Sequence, residues 1–376
     1  MISNSELAGR RTGYSVKVSS DPADDEWDEF VLQTPGSHYA QTSKWARVQS
    51  IRGFECTRIM LHSASGIIGG AQILCRRLPI IGSFGYITRG PVCDYSNLDL
   101  VEKVIHEITR ICRQKRIIYL ALTMPVDGKF ATQILQKYGF QITDNSYEEI
   151  ASVSIDLTLD VDVILSNMKL KKRQTIRQLG RKNALKIING TSQDISDFYR
   201  LYTMSSQRIG FYPHSEVFFQ TLWDCFGRTG NLLFLISKLE NEPVSACMAI
   251  AFRETVYGYV IGWSGKHKQL FPNDALHWNM ILQAKSSGFH IFDFGGIELD
   301  LNRPIMRNVP IAEQFVKSYC RIKLEYGGDV YFYPDNYEFI SNSLLRWGYT
   351  TIYPKIPTKF FIDYIDRLIK RRAENL

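Results

Sequence analysis

The residues that stand out for their chemistry are cations. Between Asn167 and Lys186 lie Lys169, Lys171, Lys172, Arg173, Arg177, Arg181, Lys182 and Lys186, with no carboxylate among them. Like charges so close together repel one another, so the run either faces solvent or meets a polyanion such as a phosphate backbone. Lys169, Arg173, Arg177 and Arg181 recur at steps of four and form a stripe. Leu165, Met168, Ile176 and Leu179 fall in one apolar arc, so the spacing predicts one amphipathic helix carrying both. A second basic stretch, Arg367, Lys370, Arg371 and Arg372, follows Phe360, Phe361, Ile365 and Leu368, and suits packing on the core or contact with a membrane surface. Metal chemistry finds no support. The seven cysteines are odd in number and scattered through apolar patterns such as Ile73-Leu74-Cys75, and no Cys/His spacing suits zinc.

The scaffold that must position these cations is written twice. Tyr257 to Gly265, Pro272 to Trp278 and Phe292 to Ile297 read as strand, loop, helix, strand. Phe84 to Pro91, a helix over Asp99–Gln114 and the strand Ile117–Leu122 repeat that order. A chain of 376 residues exceeds what one core usually supports. Two units of this length mean a duplicated domain rather than a solenoid. The expected boundaries are 14–158, 159–335 and a helical extension over 336–376. Asp21 and Pro22 suggest the start of the first helix. The alternation from Ala151 to Leu157 suggests a strand closing the first unit, and Cys320–Tyr333 is the last ordered segment expected in the second. A net charge of +7 repels no polyanion. The polar segment Met1–Arg11 lacks an apolar signal core, and no stretch of eighteen apolar residues occurs, so a cytoplasmic protein is expected.

This duplicated order resembles the GNAT acyltransferase fold, which implies an α/β protein of two tandem GNAT-like domains. Members that use acetyl-CoA carry a glycine-rich turn whose N–H groups hold the pyrophosphate at a helix N-terminus. Here that place is Lys268-Gln269-Leu270-Phe271-Pro272-Asn273, with no glycine and one N–H removed by proline. In the first unit, Gly90-Pro91-Val92-Cys93-Asp94 puts a carboxylate where a phosphate would sit. No cofactor is therefore expected.

Several motifs in shared order resemble the Fem family of aminoacyl-tRNA-dependent transferases, in its compact form without a coiled-coil arm. They are Tyr39 to Ala46, Tyr86-Ile87-Thr88-Arg89-Gly90-Pro91, the basic segment Arg173–Arg177, Arg208-Ile209-Gly210-Phe211, and Asp293-Phe294-Gly295-Gly296. The resemblance implies transfer of an amino acid from aminoacyl-tRNA to the amine of a peptidoglycan precursor. A polysaccharide or natural-product amine, an acyl-CoA donor, and a binding protein without catalysis remain open. It also implies roles. Arg208 matches one of two cations that hold an acceptor's diphosphate; the other is replaced by Gln49, with Arg47 nearby. Trp45, Tyr86, Arg89 and Tyr259 would line the acceptor groove, and the tyrosines suit a core equally well. Asp94 would orient or deprotonate the amine, or cap the helix behind it. The family's Phe-Lys-x-x-Phe-Gly segment, whose lysine lies near the reacting ester, is met by Phe315-Val316-Lys317-Ser318-Tyr319-Cys320. Lys317 sits one place late there and is expected to replace that lysine. Lys169, Arg173, Arg177 and Arg181 would contact tRNA phosphates. His277 is expected to be structural, and Asp293 a strand-end turn residue.

Overall fold

The computed structural model describes residues 13–78, 82–143, 150–182, 184–297, 320–342 and 346–347. In chain order the first half contains β1 (Ser15–Ser19), α1 (Asp25–Gln33), α2 (Ser43–Ser50), β2 (Glu55–Ser63), β3 (Gly66–Leu78), β4 (Gly82–Ile87), β5 (Val92–Cys93), α3 (Leu98–Gln114), β6 (Ile117–Thr123), α4 (Thr132–Lys137) and β7 (Phe140–Ile142). There follow β8 (Ala151–Asp156), α5 (Val161–Asn167), α6 (Leu170–Lys182), β9 (Lys186–Asn189), α7 (Ile195–Ile209), α8 (Glu216–Leu222), β10 (Leu232–Leu239), β11 (Glu242–Phe252) and β12 (Thr255–Trp263). The described chain closes with α9 (Pro272–Ser286), β13 (Ile291–Gly296), α10 (Arg321–Leu324), β14 (Asp329–Phe332) and β15 (Asn336–Ile340).

Local chemistry sets the helix starts. Asp24, not Asp21, caps α1 by accepting from Trp27 N at 3.3 Å. Asp21 is already engaged, since its side chain meets Ser19 Oγ and its carbonyl takes the guanidinium of the buried Arg58. Thr42 caps α2 and Asn97 caps α3 in the same manner.

Two sheets result, ordered β1-β2-β3-β4-β6-β15-β7 and β14-β8-β13-β12-β11-β10-β9, with β5 on β3. The halves exchange strands. β8, read as closing the first unit, pairs with β13 and β14 in the second sheet, where Ala151, Val153 and Ile155 enter the second core. β15, expected to be helical, lies between β6 and β7 of the first sheet, with Tyr337 and Phe339 buried. The segment Cys320–Tyr333 holds the short helix α10 followed by β14.

One core lies under α3, from Val101, Val104 and Ile108 against Ile73, Leu120 and Phe339. Another lies under α9, from Leu276, Met280 and Ile281 against Leu235 and Phe292. A third joins the halves: Trp27, Tyr39 and Trp45 of the first meet Phe198, Phe218, Phe226 and Phe234 of the second. Aromatic side chains sealed in this way contribute about 1.5–3 kcal/mol each, so the two units behave as one packed body. No helix among the described residues is long and apolar enough to cross a membrane.

Candidate active site

The duplicated parallel strand pairs differ where it matters. β4 and β6 stay paired from Ser83–Ile117 to Ile87–Leu122. β12 and β13 pair only from Thr255–Ile291 to Tyr257–Asp293 and then part, although β12 runs on to Trp263 and β13 to Gly296. The second sheet therefore opens and the first does not. At the fork the buried Asp293 accepts from Ser152 Oγ, from Gly295 N at 2.8 Å and from Tyr331 Oη at 2.6 Å. Tyr331 Oη lies 2.8 Å from Tyr333 Oη. Burial and the Asp293 charge push the Tyr331 phenol far up, which keeps it a donor. The register that sets Ser152 opposite both Gly296 and Tyr331 builds this cluster from three adjacent strands.

Cations close the fork from two sides. Lys323 Nζ donates to Gly296 O at 2.6 Å and to Gly295 O at 3.2 Å. From the first half, the buried Arg89 guanidinium lies 3.1 Å over the Tyr333 ring. Arg89 has a left-handed backbone (φ 52), and its N–H donates to Thr123 Oγ1 at 3.0 Å. His38, packed against Tyr39 and Tyr257, is held well below the ordinary imidazole range by burial and then by Arg89. Its Nδ1 accepts from Ala40 N at 3.2 Å, so the ring is neutral with its proton on Nε2. Six residues further along β12, about 20 Å, Arg208 stacks on Trp263 at 4.7 Å and donates to Trp263 O and Ser205 Oγ at 3.2 Å. One strand thus has Arg89 and Lys323 near one end and Arg208 at the other.

The remaining expected residues fall elsewhere. Asp94 is exposed, and its carboxylate accepts from Ser96 N at 2.9 Å and Ser96 Oγ at 2.7 Å, bonds that lower its carboxyl pKa. A carboxylate held this way accepts protons weakly, and Asn97 caps the helix in its place, so Asp94 is a turn residue. Trp45 is sealed in the shared core, edge-on to Tyr259 at 5.7 Å, and Tyr86 packs edge-on to Phe54 at 5.2 Å. Arg47 faces solvent on the outside of α2, and Gln49 is buried and accepts from Arg52 Nη1 at 3.2 Å. Lys317 lies outside the described residues, as does the basic stretch Arg367–Arg372.

The basic helix is broken at Met168–Lys169, so α5 and α6 replace the single helix the periodicity predicts. Lys169 and Arg177 are exposed, and Arg173 donates to Ser166 O at 3.0 Å. Arg181 lies on α6, its side chain outside the described set. Lys172 turns inward to Asp274 and to Glu325.

Sequence reasoning missed Lys323, although the signal was present. Ile322-Lys323-Leu324-Glu325-Tyr326-Gly327 follows the Phe-Lys-x-x-Phe-Gly pattern with its lysine and glycine in register, with isoleucine for the first phenylalanine and tyrosine for the second. Gly327 is required there: its φ is 75°, and a Cβ would collide with Asn167 O.

His277 shares the cluster behind Lys323. Tyr326 Oη lies 3.4 Å from its Nδ1, and its pKa falls to about 4 through burial, opposed by Asp274 and aided by Lys172 and Lys323. A folded pKa below the unfolded value of about 6.5 means that the unfolded chain binds the extra proton. The stabilisation is complete above about pH 6.5 and is lost as the pH falls toward 4. Urea unfolding is expected to show a loss on the order of 2 kcal/mol from this group between pH 7 and pH 5. His277→Gln should remove that part of the slope; an unchanged slope would place the titration elsewhere.

Among the described residues no cluster of His, Cys, Asp or Glu could hold a metal ion. Cys75, Cys93 and Cys247 are buried thiols raised to about 12 by burial, which makes them inert.

Two sheets, a forked parallel strand pair and a helix packed beneath it define a tandem GNAT-like protein. Residues 23–137 match the FemAB family model, and residues 166–301 match the Acetyltransferase (GNAT) domain model. The resemblance to the Fem family read from the motifs is therefore borne out. The lipid II:glycine glycyltransferase of Staphylococcus haemolyticus is 22% identical over 230 residues, 58% of this chain and 55% of that protein. The one from Staphylococcus aureus is 22% identical over 272 residues, 69% of this chain and 64% of that protein. The chain thus spans little more than half the length of the first of these relatives and less than two thirds of the second. The crystal structure of FemX superposes with a TM-score of 0.75 at 17% identity, over 89% of this chain and 99% of that one. L-PGS from Bacillus licheniformis does so at 0.54 and 13%, over 87% and 94%.

Proposed function

We propose that the chain is an aminoacyltransferase that carries an amino acid from aminoacyl-tRNA to an amine of a peptidoglycan precursor. The observation that carries this reading is Lys323, fixed on the Gly295 and Gly296 carbonyls where β12 and β13 part. In the proposed reaction the acceptor amine attacks the ester carbonyl, the C–N bond forms and the C–O bond to the ribose breaks. The proton lost by the amine ends on the departing ribose hydroxyl. The ester is already activated, so placement of the amine and a cation beside the developing oxyanion supply most of the acceleration. Asp293 orients Tyr331 and the Gly295 turn rather than taking a proton, because its oxygens already accept three bonds. Arg208 would hold the acceptor's diphosphate about 20 Å from the fork, a span that a short extended peptide bridges.

The relatives' names support the precursor and glycyl transfer, and α6 supports the tRNA donor. An acyl-CoA donor is disfavoured, since Phe271 takes a left-handed conformation (φ 50) and Pro272 opens α9, which leaves no glycine cradle for a pyrophosphate. Purified protein is expected to move radiolabelled amino acid from charged tRNA to a lipid-linked or nucleotide-linked precursor, and calorimetry should detect no binding of CoA. Absence of transfer from every charged tRNA to every amine acceptor would sink the reading. The donor half has its own test. Arg173→Ala with Arg177→Ala should weaken tRNA binding and make its log–log salt slope shallower by roughly 1.5, with the melting temperature nearly unchanged. An unchanged slope would return α6 to an ordinary solvated helix.

A further inference from the structure

The loop that follows Arg208 has a composition that transfer chemistry does not require. Ile209 is 66% exposed, Tyr212 75% and Phe211 36%, three large apolar side chains in four residues. The loop is firmly held rather than floppy. Gly210 closes α7 in the left-handed conformation, with its N–H on Ser206 O at 2.7 Å. Phe211 leans on Tyr202 at 5.3 Å, and His214 stacks on Phe218 at 4.2 Å. Ile209 and Tyr212 are therefore held out into solvent by structure on both sides, at a standing cost in hydration.

The charges on the loop and on the segment it packs against are positive. Arg208 packs against the loop after β12, where a Cβ on Gly265 would lie 2.8 Å from its Nη1. That loop presents the exposed Lys266 and Lys268, and Trp263 Nε1 fastens it by donating to Lys266 O at 2.9 Å. Neither segment, residues 201–215 nor residues 255–273, contains an aspartate or glutamate. Apolar side chains projecting beside Arg208, Lys266 and Lys268 suit a plane that is anionic outside and apolar beneath. A nucleic acid has no use for an exposed isoleucine.

We propose that this surface docks on an anionic lipid bilayer, with Ile209 and Tyr212 entering the headgroup–acyl boundary and Lys266 and Lys268 contacting lipid phosphates. The docking is independent of the transfer reaction, so either can fail without the other. Flotation of the full chain with phosphatidylglycerol/phosphatidylcholine vesicles is expected to show binding that falls with salt and is weak on pure phosphatidylcholine. Ile209→Ser with Tyr212→Ser should weaken binding roughly tenfold or more. Lys266→Glu with Lys268→Glu should do at least as much. Both variants should keep the wild-type melting temperature, and the Ser pair should acylate a soluble precursor at the wild-type rate. No binding to anionic vesicles, or equal binding by both variants, would overturn the proposal. If the Glu pair instead loses tRNA affinity and the wild type ignores vesicles, the patch belongs to RNA.

Discussion

Lys323→Ala is expected to lower kcat by roughly 10²–10³-fold while leaving the affinity for charged tRNA and the melting temperature close to wild type. A preorganised donor beside a developing oxyanion is worth a few kcal/mol in the transition state and little in the ground state. Lys323 has the required fixity: two strand-end carbonyls hold its ammonium, and Tyr326, three residues on, is buried and bonded to Asp274 at 2.7 Å. The comparison that decides the matter is Lys317→Ala. Lys317 was the expected replacement for the family lysine, but Lys323 occupies the pattern in register, so Lys317→Ala should cost far less. Single-turnover transfer on both variants reads the difference directly. A large loss in Lys317→Ala with near-normal turnover in Lys323→Ala would reverse the assignment.

The duplicated scaffold was readable in the sequence because strand, loop and helix each leave a periodic trace, and two copies reinforce each other. Sheet membership was not readable. Alternation over Ala151–Asp156 says that one face is buried, yet either core offers an apolar face, and only the pairing with β13 and β14 decides between them. Tyr337 and Phe339 show the same limit: a short apolar alternation beside a helical-looking tail gave no hint that it would fill the gap between β6 and β7. The shared core was hidden for a related reason. Trp45 read as a groove aromatic because sequence shows its polar handle and not the partner surface that buries it.

At the site, the cation-bearing motifs were legible and their commitments were not. Arg89 and Arg208 stood out by type and order, but that one lies on a tyrosine face and the other on a tryptophan depends on strands far away in sequence. Asp94 misled because a carboxylate in a Gly-Pro loop suggests chemistry, while the nearby Ser96 turns it into a local turn. Lys172 could have been placed by periodicity alone. It precedes Ile176 by four residues and Leu179 by seven, which sets it on the apolar arc rather than on the stripe.

That inward-turned lysine carries the largest expected effect on stability. Lys172 is 4% exposed, pairs with Asp274 and, at 3.1 Å, with Glu325, and lies 4.8 Å over the Tyr326 ring. Removing one partner of a buried pair leaves the other charged and desolvated, so Lys172→Ala should lower unfolding stability by about 3–5 kcal/mol. Removing both charges should cost much less. Asp274→Asn still accepts from Tyr326 Oη, and Lys172→Met fills the same volume, so the double variant should regain more than half of the loss, a coupling that a double-mutant cycle isolates. The consequence reaches the site, because Lys169 N donates to Glu325 O at 3.0 Å and Glu325 stands two residues after Lys323. The cluster therefore ties the proposed tRNA-facing helix to the segment that aims the proposed catalytic lysine. Denaturant titration of Lys172→Met, Asp274→Asn and their double, beside Lys172→Ala, is the measurement. A loss below 1 kcal/mol in Lys172→Ala would mean that water reaches Asp274 readily and that the tie is loose.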